Sequence, residues 1–124
     1  MAAFDAQRVS RTVTGALAGP GGIALVINVF AGLPGVTHTA AHRGMFRSQP
    51  ARLQIGDWRY EVTPDDRLRA AHVVGGIVIA EEVLLADAVG PHLARSLAQI
   101  VARYGPAVIP NIDAAVDALS ASAG

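Results

Sequence analysis

The sequence predicts a single α+β domain in which helices at both ends of the chain pack on one face of a four-stranded antiparallel meander. Three observations predict this fold class. Apolar residues recur at helical spacing near both termini, alternating strands flank a two-residue turn near the middle, and 124 residues hold no repeat or linker. A chain of this length buries about two thirds of its unfolded surface, so it can build a core without disulfides.

The N-terminal part predicts two helices. Phe4, Val9, Val13 and Leu17 lie near helical spacing in a helix from about residue 3 to residue 18, which Gly19-Pro20 ends. The apolar run 23–30 fits either a buried strand or a buried helix, because it is apolar on nearly every side. The glycine that follows it at position 32 favours the helix.

The clearest local pattern is a β-hairpin with Gly56-Asp57 as its turn, flanked by strands 51–55 and 58–62. The turn sets the register, so that Ile55 faces Trp58, Gln54 faces Arg59, Leu53 faces Tyr60 and Arg52 faces Glu61. Trp58 and Tyr60 therefore point toward the helices, while Arg52 and Arg59 point to the opposite face. A slip of one residue would exchange the two faces.

The remaining strands are predicted on both sides of this hairpin. Residues 36–41 form a plausible strand, and residues 43–50 form a loop. After a turn at 63–66, strands 68–74 and 77–80 are joined at Gly75-Gly76, for which a tight hairpin is favoured over a bulge in one long strand.

The C-terminal part predicts two more helices. The first carries an apolar stripe, is capped by Asp87 and ends at Gly105-Pro106. The second carries Ile112, Val116 and Leu119, with Asn111 as its cap, and frays after Ser120. The stripe of the first helix consists of Val89, Leu93, Leu97, Ile100, Val101 and Tyr104.

Composition restricts the classes of partner. Ten basic and ten acidic residues cancel, so no long-range field attracts nucleic acid or an anionic membrane, and both are disfavoured. Gly19-Pro20-Gly21-Gly22 breaks the uncharged segment 12–37, and the longest mainly apolar stretch that remains, 21–33, is too short to span a bilayer. The absence of cysteine fits a cytoplasmic protein. A hydrophobic fraction of 52% with only 16% charged residues leaves apolar surface for a second copy or a protein partner, so a homo-oligomer is expected.

No catalytic, cofactor or metal motif is present. The chain has no lysine for a phosphate-binding loop, and His38 and His42 have no third metal ligand nearby. His92 is placed on a surface helix, Ser96 lacks a convincing partner, and Glu81 and Glu82 lie at a predicted strand end. Six arginines with interleaved aromatic residues predict a solvated, salt-bridged sheet face rather than an anion site. These residues are Arg43, Arg47, Arg52, Arg59, Arg67 and Arg69, with Phe46, Trp58 and Tyr60.

Three segments, 33–36, 56–62 and 68–77, resemble short hypothetical proteins of actinobacteria. The resemblance implies no activity and no residue roles. We therefore expect a protein of unknown function that is most simply a non-enzymatic self-associating or protein-interaction domain. The alternative is a small-ligand-binding domain or enzyme with a pocket between sheet and helix. The candidate pocket or interaction residues are Trp58, Tyr60, His72, Arg52 and Arg59.

Overall fold

A computed structural model describes residues 3–39, 42–43 and 48–123 and has the predicted α+β class. Its helices are α1 (Ala6–Ala18), α2 (Gly22–Phe30), α3 (Ala86–Tyr104) and α4 (Ile109–Ala123), with a 3₁₀ turn at Pro106–Val108 before α4. Its strands are β1 (Val36–Thr39), β2 (His42–Arg43), β3 (Ser48–Gln49), β4 (Arg52–Ile55), β5 (Trp58–Val62), β6 (Leu68–Val74) and β7 (Ile77–Leu84).

The main sheet has five antiparallel strands in the order β1-β4-β5-β6-β7, so the prediction of four strands is wrong. The fifth strand is β1, which corresponds to the strand predicted at 36–41 and pairs with β4 from Val36 opposite Ile55 to Thr39 opposite Arg52. It covers the side of β4 whose backbone groups would otherwise have no partner. Within the predicted loop 43–50, β2 and β3 form a separate two-stranded pair. The predicted strand end at 40–41 and residues 44–47, with Phe46 and Arg47, lie outside the described residues.

The hairpin of β4 and β5 has the predicted register at all four pairs, from Ile55 opposite Trp58 to Arg52 opposite Glu61. Gly56 has a φ of 58°, a left-handed conformation that glycine adopts without strain. Leu53, Ile55 and Tyr60 are fully buried and Trp58 is half-buried, whereas Arg52 and Arg59 lie on the other face. The turn and the alternation of side chains therefore placed both faces correctly.

A second hairpin joins β6 and β7 at Gly75-Gly76, as predicted, but β7 continues to Leu84 rather than ending at Ala80. His72 pairs with Ala80 and Val73 pairs with Val78, so Ile79 is an extra residue that forms a β-bulge. Glu81 and Glu82, expected at a strand end, lie inside β7. The bulge shifts the pairing by one residue, so that Leu84 lies opposite Leu68 and reaches the core.

Helices follow the predicted order with shifted ends. Asp5 caps α1 by accepting a hydrogen bond from the Arg8 backbone N–H at 3.0 Å. The run 23–30 is helical, as favoured. α3 begins one residue before Asp87, which lies in its first turn instead of capping it. α4 begins at Ile109, ahead of the predicted cap Asn111, and stays helical beyond Ser120.

The core lies between the sheet and the helices. α3 contacts β4 and β7, α1 packs on α3 and α4, and α2 packs on α1 and α4. α1 and α3 pack tightly at Gly90, where a Cβ would lie 2.5 Å from the backbone oxygen of Ser10. α3 is thus enclosed by the sheet on one side and by α1 on another, which decides the burial of its polar residues.

Candidate functional site

Four aromatic and histidine side chains meet between the sheet and α3. The rings of Trp58 and His72 stack with centroids 4.7 Å apart and an angle of 15° between their planes. His92 of α3 meets Trp58 edge-on at 4.4 Å and Tyr60 edge-on at 5.4 Å. The strand register explains the stack, because Trp58 of β5 lies directly opposite His72 of β6. The predicted residues Trp58, Tyr60 and His72 therefore come together, with His92 as a fourth member.

A buried hydrogen-bond chain lies at the centre of this cluster. The Tyr60 hydroxyl lies 2.6 Å from Nδ1 of His92 and also hydrogen-bonds Oγ of Ser96. All three side chains are buried. Burial raises the pKa of the Tyr60 hydroxyl well above its usual value, so the hydroxyl keeps its proton. It can donate that proton to Nδ1 of His92 while it accepts a hydrogen bond from Ser96.

His92 is held neutral in this environment. Burial lowers the pKa of its imidazole, and the nearby charge of Arg95 lowers it further, while Glu82 acts in the opposite direction. A neutral imidazole has one ring nitrogen free to accept, as the Tyr60 hydroxyl requires. The charge state and the hydrogen bond therefore support each other.

Sequence reasoning missed two members of this chain. His92 was expected on a surface helix and Ser96 was expected to lack a partner, yet both are buried and both bond Tyr60. The missed signal is their spacing of four, which places both beside Leu93 and Leu97 on a helix. The apolar stripe underestimated the buried face of α3, because this helix is covered both by the sheet and by α1.

Arg52, Arg59 and Arg69 lie on the opposite face of the sheet, where acidic neighbours pair with Arg52 and Arg69. Arg52 lies 3.2 Å from Glu61, and Arg69 lies 3.5 Å from Glu81 across adjacent strands. Arg59 lies beside the buried Ala71 in the register of β5 and β6. The predicted salt bridges therefore form at Arg52 and Arg69. Among the described residues Arg59 has no acidic partner, and its Nε, like that of Arg52, is buried without a hydrogen bond, so this face is less solvated than predicted.

The buried cluster has the properties of a structural network. Its hydroxyls and the imidazole Nδ1 bond one another, and Tyr60 has no exposed surface on which a substrate could lie. Within residues 3–39, 42–43 and 48–123, no three histidine, aspartate or glutamate side chains converge as metal ligands. The geometry therefore favours a role for these residues in positioning α3 on the sheet.

The most unusual surface is the open side of β7, the outermost strand next to β6. Seven of its eight residues are exposed, and only Leu84 is buried. Ile77 and Ile79 expose 67% and 59% of their surface, and Leu85, just after the strand, exposes 66%. An outermost strand of this length with large apolar side chains can pair with a strand from another polypeptide. We call this surface the β7 edge, consisting of residues 77–85, with exposed large apolar side chains at Ile77, Val78, Ile79, Val83 and Leu85.

An open apolar pocket of about 530 Å³ lies at the end of β7, between the sheet and the helices. Its walls are mainly aliphatic, with Asp66 and Arg67 as the charged members. Trp58, Tyr60 and His72 do not line it, so the predicted pocket residues and this pocket are separate features. We call it the β7-end pocket; its apolar walls include Leu17, Ile23, Leu68, Leu84, Leu85 and Val89.

In the part of the chain that the structure describes, no helix combines enough length with enough apolar character to span a membrane.

Comparison with known proteins places the chain in a family without transferring a function. No curated protein and no solved structure gives a significant match. The model of a domain of unknown function, DUF5073, matches residues 1–121, which is nearly the whole chain. The chain therefore belongs to the DUF5073 family of domains of unknown function.

Proposed function

We propose that this domain is a non-enzymatic protein-interaction module that binds by adding a β-strand to the β7 edge. The observation that carries the proposal is the exposure of seven consecutive residues, 77–83, on an outermost strand. Four of these seven residues are isoleucine or valine. Along an outermost strand, part of the backbone N–H and C=O groups point away from the sheet and have no partner strand. A partner strand would bond these groups and cover the apolar side chains.

The composition of β7 supports controlled binding over indiscriminate aggregation. The bulge at Ile79 and the carboxylates of Glu81 and Glu82 are features that proteins use to limit edge pairing. Glu81 is already compensated by Arg69 of its own chain, so a partner does not have to neutralise it. The edge thus combines a strong apolar attraction with constraints on which strand can pair.

Site-specific photo-cross-linking tests the proposal. A photoreactive residue replaces Ile79 on the β7 edge or, as the matched control, Thr37 on β1, the strand at the opposite side of the sheet. Both positions are exposed, so both variants should fold. In the cells that naturally make the protein, we expect discrete covalent adducts from position 79 and none from position 37. No adduct from position 79, or equal adducts from both positions, would contradict strand addition.

A further inference from the structure

Given strand addition at the β7 edge, we infer that the partner is a second copy of this chain, which pairs with β7 antiparallel about a two-fold axis near Ala80. Each copy then inserts the apolar tip of its β6–β7 hairpin into the β7-end pocket of the other. The inference rests on the proposed function and adds the identity of the partner and the contact that selects it.

The tip and the pocket lie at opposite ends of the same strand. Val74 and Ile77 flank the Gly75-Gly76 turn and are exposed, at 49% and 67%. Leu84 and Leu85 line the pocket at the other end of β7. The strand is about 26 Å long, at a rise of about 3.3 Å for each of its residues. In an antiparallel pair of identical strands, the beginning of one lies beside the end of the other, so each tip reaches the other pocket.

The tip and the pocket also lie on the same face of the sheet. Leu68, Ala70 and His72 alternate toward the helices along β6, so Val74 continues that face, and Ile77 is its partner across the hairpin. The pocket is on this face too, since its walls include residues of α1, α2 and α3. A two-fold axis perpendicular to the sheet keeps each face on its own side. The tips therefore meet the pockets and not the arginine face.

Charge determines where the axis lies. A two-fold axis of this kind places one residue opposite itself, because paired residues in antiparallel strands share a face. An axis at Glu81 or Glu82 would place two carboxylates directly opposite each other, which is destabilising. An axis at Ala80 pairs the smallest side chain of β7 with itself and, with Ile79 counted as the extra residue of the bulge, brings Gly75 of the second copy beside Leu84. The same register that avoids the carboxylates therefore also aligns tip and pocket.

Two features favour a second copy over an unrelated strand. A foreign strand would cover the backbone of β7, but it would have to supply its own apolar group at the correct distance to fill the pocket. The chain has no net charge, so two copies do not repel each other at long range.

Sedimentation analysis of the purified full chain tests the inference with a complementary charge pair. The wild type should show twice the 12.8 kDa chain mass at micromolar concentrations. Ile77→Arg in the tip and Leu85→Glu at the pocket should each weaken dimerisation at least about tenfold, or about 1.4 kcal/mol. Thr37→Arg on β1 is the control and should leave the dimer unchanged. Mixing Ile77→Arg with Leu85→Glu should restore dimers, since one reciprocal contact then pairs opposite charges while the other stays native.

Cross-linking tests the antiparallel geometry independently, because the chain has no cysteine of its own. A short bifunctional thiol reagent should link a mixture of Ile77→Cys and Leu85→Cys chains but neither variant alone. Circular dichroism confirms that each variant is folded, as expected for exposed positions.

A monomeric wild type, a dimer that neither charge variant weakens, or equal cross-linking of the single variants would each overturn the inference. A different result would separate the two proposals. If the purified chain is monomeric and position 79 gives adducts whose mass is not that of two chains, the partner is not a second copy, but strand addition at the β7 edge is retained.

Discussion

Replacing Tyr60 by phenylalanine tests the buried hydrogen-bond chain. The change removes one hydroxyl from a fully buried site and leaves the ring packing in place. Two hydrogen bonds are lost, each worth about 1 kcal/mol net. Ser96 can turn to the backbone carbonyl of His92 in the preceding turn of α3, but Nδ1 of His92 keeps no side-chain partner, which costs about 1–3 kcal/mol more. The new bond of Ser96 offsets about one of the two lost bonds, so we expect the free energy of unfolding to fall by roughly 2–4 kcal/mol.

The chain provides its own control and probe for this experiment. Its other tyrosine, Tyr104, is 52% exposed, so Tyr104→Phe should change the free energy of unfolding by less than about 0.5 kcal/mol. Trp58 is the single tryptophan and contacts His92, so its fluorescence reports unfolding in a urea titration of each variant. A loss for Tyr60→Phe no larger than that for Tyr104→Phe would refute the reasoning that the hydroxyl holds α3 on the sheet.

Three further predictions concern other parts of the domain. Gly90→Ala should lower the free energy of unfolding by about 1–3 kcal/mol, because α1 leaves no room for a Cβ there. Gly15→Ala should raise it by up to about 1 kcal/mol, because a Cβ at this helical position meets nothing within 4 Å. Thermal unfolding of the two variants distinguishes these outcomes. The free energy of unfolding should fall as the pH is lowered from 7.5 to 5. In the unfolded chain His92 binds a proton with a pKa near 6.5, whereas burial lowers its pKa in the folded chain. A His92→Gln variant with the same dependence on pH would contradict this. Arg52→Ala should cost less than about 1 kcal/mol, with the loss shrinking in high salt, because its pair with Glu61 is partly exposed; a loss independent of salt in denaturant titrations would contradict an ionic origin.

The central hairpin could be predicted in full because its determinants are local. A two-residue turn leaves one register open, and alternation then decides which side chains face the helices. Trp58 and Tyr60 were placed on the inner face, and Arg52 and Arg59 on the outer face, from twelve residues of sequence alone. The same reasoning correctly joined β6 to β7 at Gly75-Gly76.

The remaining site residues could not be predicted because their environment is set by tertiary contacts. His92 is buried because the sheet covers a flank of α3 beside its apolar stripe, and no local pattern reports which flank is covered. Strand β1 joins the sheet through pairing with β4 across the intervening β2–β3 segment, so its place depends on a non-local contact. The bulge at Ile79 breaks the alternation of β7, which is why the strand seemed to end at Ala80.

Most of the exposed large apolar side chains lie on the β7 edge, and this location would limit the size of an assembly. Pairing about a two-fold axis uses the β7 edge of both copies at once and leaves neither copy with a free one. The sheet ends on its other side at β1, which is only four residues long and whose exposed Thr37, His38 and Thr39 carry polar side chains. Strand addition is much less favourable there, because little apolar surface would be covered. Association through β7 is therefore expected to stop at two copies and not to continue into a polymer.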